Sequence, residues 1–170
     1  MISASNAILR WEPPALLKPR TSLLYCEGHS IGRIHKLWFA GRGADVTCDG
    51  QTLHIRNKTT LMKRGYKVTD SNGHEVGLFT PESVSLLPHG TFTTTDHQRF
   101  QLSGGQTPKW AWYNGTQEII SYILSSRQSW LKPPAIEIHS FETEKPGYKI
   151  TALLGIFLIT TFAHEYASGD

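Results

Sequence analysis

From Ile150 to Ala163 the chain runs fourteen residues without a charge, "ITALLGIFLITTFA". Wound as a helix, Ile150, Leu153, Leu154, Ile156, Phe157, Leu158, Ile159 and Phe162 point in every direction, and Thr151, Thr160 and Thr161 make no polar stripe. A helix on a protein surface keeps a charged face. This one has none, so it must be surrounded. A bilayer span needs about 20 apolar residues to cross about 30 Å of hydrocarbon. Fifteen helical residues rise only about 22 Å, and His164 and Glu165 close the run. A strand of this length would be unusual. The expectation is a buried core helix over about 149–165, with a tail anchor in a membrane as the lesser alternative.

The chain ahead of this helix reads as strands. Asp49-Gly50, Asn72-Gly73, Gly104-Gly105 and Asn114-Gly115 each sit between β-rich flanks. Such dipeptides accept the positive φ angles of tight hairpin turns. The flanks alternate as half-buried strands do. Leu53 and Ile55 share a face, with His54 and Arg56 opposite. Tyr66 and Val68 share a face, as do Val76 and Leu78, Trp110 and Trp112, and Ile136 and Ile138. Further strands are expected near 6–11, 22–26, 31–39, 84–87, 91–95, 98–103 and 117–124. Many antiparallel strands followed by a helix that is hydrophobic all round are reconciled by a mainly β fold. The fold expected is a closed antiparallel barrel of about twelve strands enclosing the C-terminal helix, with no exposed strand edges. With 170 residues, no repeat and only short proline-rich connections such as "WEPPALLKPR", residues 1–170 are expected to form a single domain.

This pattern resembles the tubby C-terminal-like superfamily, which includes tubby proteins, phospholipid scramblases and LURP-one-related proteins. The features that carry the resemblance are the helix "KITALLGIFLITTFAHEY" and the hairpin "YKVTDSNGHEVGLF", which is similar to the "y-x-v-x-D-x-x-G" strand pair of LURP-one-related proteins. The strand count ahead of the helix agrees. The resemblance covers nearly the whole chain and is architectural. It implies a non-enzymatic role at phospholipid surfaces, since tubby domains bind phosphoinositide headgroups. No motif here matches tubby's lipid-binding residues position by position. The cysteine-rich and acidic calcium-binding segments of scramblases are absent, which puts scrambling and calcium regulation in doubt.

Charge suggests where such a ligand would sit. Net charge is only +3, too mild to imply a specific nucleic-acid partner. Between Arg33 and Lys67, however, eight basic residues face two acids, so this segment carries +6. Arg56, Lys58, Lys63, Arg64 and Lys67 cluster in "RNKTTLMKRGYK", joined by Arg33 and Lys36. Cations gathered in this way attract phosphates or an anionic membrane surface. The plainer reading is a set of solvated strand faces.

Other chemistry is weakly signalled. Cys26, His29 and His35 lack the second ligand pair that zinc needs, and His164-Glu165 lacks the following histidine of a zinc-protease motif. No nucleophile elbow, phosphate loop or dinucleotide fingerprint is present. Neither a cofactor nor a metal is expected. Trp110 and Trp112, with Tyr113 and Lys109, read as core before they read as a stacking platform. The N-terminus lacks a secretory pattern, which points to a cytoplasmic chain in which Cys26 and Cys48 stay reduced.

The sequence therefore predicts a non-catalytic binding module for anionic phospholipid headgroups or another phosphate-bearing partner, peripheral at the cytoplasmic membrane surface. The alternatives are a small-ligand carrier or barrel enzyme with an internal pocket, and the tail-anchored protein. Ligand identity, pathway and oligomeric state are not written in the sequence.

Overall fold

The structure, a computed structural model, describes residues 8–12, 21–26, 29–37, 43–48, 50–58, 65–82, 89–104, 109–124, 136–140 and 146–167. These form twelve strands and one helix. The strands are β1 (Ile8–Glu12), β2 (Thr21–Cys26), β3 (His29–Lys36), β4 (Gly43–Cys48), β5 (Gln51–Asn57) and β6 (Tyr66–Asp70). They continue with β7 (Glu75–Pro81), β8 (Gly90–Thr94), β9 (Arg99–Gly104), β10 (Lys109–Asn114), β11 (Gln117–Leu124) and β12 (Ile136–Ser140), and the helix is α1 (Pro146–Ala167). The expected strand near 84–87 lies outside the described residues.

All twelve strands belong to one antiparallel sheet, ordered β1-β12-β11-β10-β9-β8-β7-β6-β5-β4-β3-β2. β1 pairs with β12 through Ile8–His139 and Trp11–Ile136, and with β2 through Leu9–Cys26 and Glu12–Leu23. Successive strands in the chain are neighbours in space.

Local chemistry explains the turns. Gly50, Gly73 and Gly115 take φ of 74°, 83° and 61°, a region that a residue with a Cβ enters only at a cost. After β9 the expected turn glycine, Gly105, falls outside the described residues. One turn carries no glycine signal. Between β8 and β9, Thr94 Oγ donates to the Asp96 carboxylate and accepts the Gln98 amide at 3.1 Å. That side-chain scaffold holds His97 at a φ of 66°. In the β6–β7 turn the Asp70 carboxylate accepts the amides of Asn72 and His74 at 2.8 and 2.9 Å.

Alternation builds the interior. Ala44, Val46, Leu53, Ile55, Tyr66, Val68, Phe79, Phe92, Phe100, Leu102, Trp110, Trp112, Ile120, Tyr122, Ile136 and Ile138 are buried on the inner face. In β7, Val76 and Leu78 are half-buried, while Gly77 and Phe79 are the buried pair. Trp112 meets Phe79 and Phe92 edge-on at 6.1 and 6.5 Å between ring centroids. Both tryptophans are core.

The helix is buried over its middle. Every residue from Leu153 to Thr161 is buried, a run of two and a half turns that leaves no azimuth facing solvent. Phe157 meets Tyr66 edge-on at 5.2 Å. The helix begins at Pro146, ahead of the position that hydropathy predicts. Proline suits a first helical turn because its missing N–H is one that the helix leaves unbonded anyway. No helix among the described residues is long and apolar enough to cross a membrane.

Candidate anion-binding face

The basic residues from Arg33 to Lys67 sit on neighbouring strands, and register decides which of them meet. Across β5 and β6, Arg56 lies directly opposite Lys67. Their Cβ atoms are therefore only about 5 Å apart. Two like charges in that relation repel, and each is held by an acid. Arg56 Nη2 donates to Asp45 Oδ1 at 2.7 Å, and Nη1 donates to the carbonyls of Ala44 and Ile55, both at 3.0 Å. Lys67 Nζ pairs with Glu75 Oε2 at 2.9 Å. The two cationic side chains remain 42% and 38% exposed, so their remaining donors face water.

Asp45 is the hub of this face. It stands in one cross-strand row with His35 on β3 and His54 on β5. Its Oδ1 also accepts from His54 Nδ1 at 2.7 Å, while His35 Nδ1 is 3.0 Å from the Thr21 hydroxyl. Partial burial pushes the Asp45 carboxyl up, but the hydrogen bonds and positive charges of His54 and Arg56 outweigh it and hold the group below its ordinary range. Glu75 is lowered too, first by the Lys67 hydrogen bond against a smaller burial effect, then by the charges of Lys67 and Lys58. Lys58 therefore belongs to the same electrostatic neighbourhood. Its amide donates to the Gly65 carbonyl at 2.8 Å, which ties together the ends of the loop between β5 and β6.

Of the predicted basic residues, Arg33, Arg56, Lys58 and Lys67 thus lie on the outer surface of β3–β6 and the chain just after β5. Arg33 is exposed two positions along β3 from His35, opposite Thr47. Lys63 and Arg64 lie outside the described residues.

Lys36 does not join this face. It lies directly opposite Ala44, which is buried on the inner face, and directly opposed residues project to the same side. Burial lowers its ammonium from 10.5 to about 8. Charge counting missed this placement, although Ile34 and Lys36 share a parity that the two-residue period makes readable.

The cross-strand row His35–Asp45–His54 was also missed, though a turn at Asp49-Gly50 sets Asp45 opposite His54. Among the described residues no group of three or more His, Cys, Asp or Glu side chains gathers to hold a metal ion. No family model, no curated protein and no solved structure matches this chain.

Proposed function

We propose that this chain is a non-catalytic binding module whose outer face, centred on Arg56 and Lys67 with Lys58 and Arg33, receives an anionic phospholipid headgroup at the cytoplasmic membrane surface. One observation supports the reading: two cations stand directly opposed across β5 and β6, each paired with one acid yet still 42% and 38% exposed, which leaves both within reach of a further anion. Asp45 and Glu75 each hold one of the two side chains, which stay partly exposed to a phosphate. Attraction is electrostatic with charge-assisted hydrogen bonds, so it weakens with salt.

The tubby-like reading belongs to the same proposal. In it the sheet is a closed barrel and α1 is its plug, so membrane contact comes from the charged outside. Pairing of β1 with both β2 and β12, and burial of the helix all round, support it.

Vesicle sedimentation tests the function. Phosphatidylcholine vesicles are compared with the same vesicles carrying a bisphosphorylated phosphoinositide, at low and high salt. Binding is expected only to the anionic vesicles, with loss at high salt. Equal binding to both vesicle types overturns the reading.

A further inference from the structure

One oxygen, Asp45 Oδ1, serves two donors. His54 Nδ1 and Arg56 Nη2 each stand 2.7 Å from it. An ionised carboxylate only accepts hydrogen bonds, so His54 carries its proton on Nδ1 and keeps Nε2 for a second one. The His54 side chain is 32% exposed, and a proton can reach it from water.

With both histidines neutral the face is largely self-compensated. Asp45 matches Arg56, and Glu75 matches Lys67. Exposed Arg33 and Lys58 complete four cations against two acids, a balance of +2. Histidine changes charge between about pH 5 and 8. A proton on His54 gives Asp45 a second counter-cation through the contact it already has, and Arg56 is left in excess. On the other side of Asp45 stands His35, exposed and directly opposite it across β3 and β4. Its Nδ1 meets only the neutral Thr21 hydroxyl, at 3.0 Å. With both histidines charged the same face carries +4.

The surroundings of His54 place an acid on one side of it. Asp45 faces it from β4 and uncharged Thr69 faces it from β6. Arg56 on its own strand and Lys67, diagonal on β6, oppose a further positive charge, while the Asp45 contact favours it. Glu75 lies one strand farther on, opposite Thr69, and is held by Lys67.

We propose that the anion-binding face is gated by acid: protonation of His54, joined by His35, releases Arg56 from Asp45 and tightens the hold on an anionic phospholipid surface as pH falls. This names the regulation of the proposed site and rests on that reading. Lipid chemistry matters to the size of the effect. A phosphate monoester loses charge near pH 6, which offsets part of the gain, whereas a phosphodiester keeps its single charge.

The test therefore uses phosphatidylcholine vesicles carrying phosphatidylglycerol, a phosphodiester, sedimented with the full chain at low salt. One charge close to an anionic surface strengthens binding about fivefold. Two histidines should make binding at least about tenfold tighter at about pH 5.5 than at about pH 7.5. His54→Gln keeps a donor for Asp45 and cannot become charged. It should match the unaltered chain at the higher pH and lose about fivefold of the gain at the lower one. In an Asp45→Asn background, where Arg56 is already released, His54→Gln should change binding less than it does with Asp45 present. Reciprocity supplies a readout that needs no variant: binding must draw protons onto the protein, so a weakly buffered suspension becomes more alkaline on mixing. Equal binding at both pH values, no proton uptake, or a full gain in the double variant His35→Gln/His54→Gln overturns the gate and leaves the anion-binding face standing. No binding to these vesicles at either pH overturns both.

Discussion

The hydroxyl of Tyr122 donates to the carbonyl oxygen of Ala152 across 2.8 Å, joining β11 to the helix α1. The Tyr122 hydroxyl oxygen also accepts the indole N–H of Trp112 at 3.1 Å and stands 3.3 Å from the Thr151 carbonyl. Both aromatic rings are completely buried. Burial also pushes the Tyr122 phenol well above its ordinary range, so it stays a neutral donor. The apolar helix is therefore placed by a polar contact as well as by packing.

Tyr122→Phe keeps the ring and removes that oxygen. The Trp112 N–H then loses its partner inside the core, and an unsatisfied buried donor costs about 1–3 kcal/mol. Urea unfolding should show a lower midpoint with an unchanged slope. A loss below about 0.5 kcal/mol would mean that the indole finds another acceptor, contrary to the geometry.

Gly155→Ala sets helix propensity against packing. In an open helix this change stabilises by about 1 kcal/mol. Here a Cβ on Gly155 would stand 2.2 Å from the Tyr122 hydroxyl and 2.6 Å from Trp112 Nε1. Overpacking of this kind costs about 1–3 kcal/mol or more, because the buried rings have nowhere to move. The expected outcome is a net destabilisation by thermal melting, and a higher melting temperature would show that the helix shifts away from β11.

How much of this was readable beforehand depends on the range of the cause. The turns at Gly50, Gly73 and Gly115 were legible because positive φ is a demand of a single residue. The surrounded helix was legible because a missing polar stripe is a property of one short segment. The Thr94–Asp96–Gln98 turn carries no dipeptide signal, since side-chain oxygens do the work of glycine there. Lys36 was grouped by charge when the parity of β3 already separated it from Arg33. By contrast, Arg56 stands opposite Lys67 through a register set across the 58–65 connection, which no local pattern encodes. The pairing of β1 with both β2 and β12 is likewise non-local.

Asp45→Asn tests whether the acids restrain the face or build it. The carboxylate that occupies Arg56 Nη2 is removed, and the outer surface gains one positive charge. Affinity for phosphoinositide vesicles is expected to rise about two- to fivefold at low salt, with a steeper loss as salt is added. Arg56→Glu should abolish the same binding. If Asp45→Asn weakens binding while the fold is intact, the carboxylate positions Arg56 and does more good than its charge does harm.

Lys36→Met isolates the buried charge by keeping the length of the side chain. Below pH 8 the lysine is protonated in both folded and unfolded chains, and the folded state carries the whole cost of burial. Between about 8 and 10.5 the folded chain releases its proton while the unfolded chain keeps it, so stability rises with pH across that window. Methionine removes the cost at every pH. The variant should therefore be more stable by up to about 3 kcal/mol at pH 7, with the gain shrinking to about 1 kcal/mol at pH 10. Urea unfolding of both chains at the two pH values measures this directly. A difference that does not change with pH would mean that Lys36 keeps an ordinary ammonium.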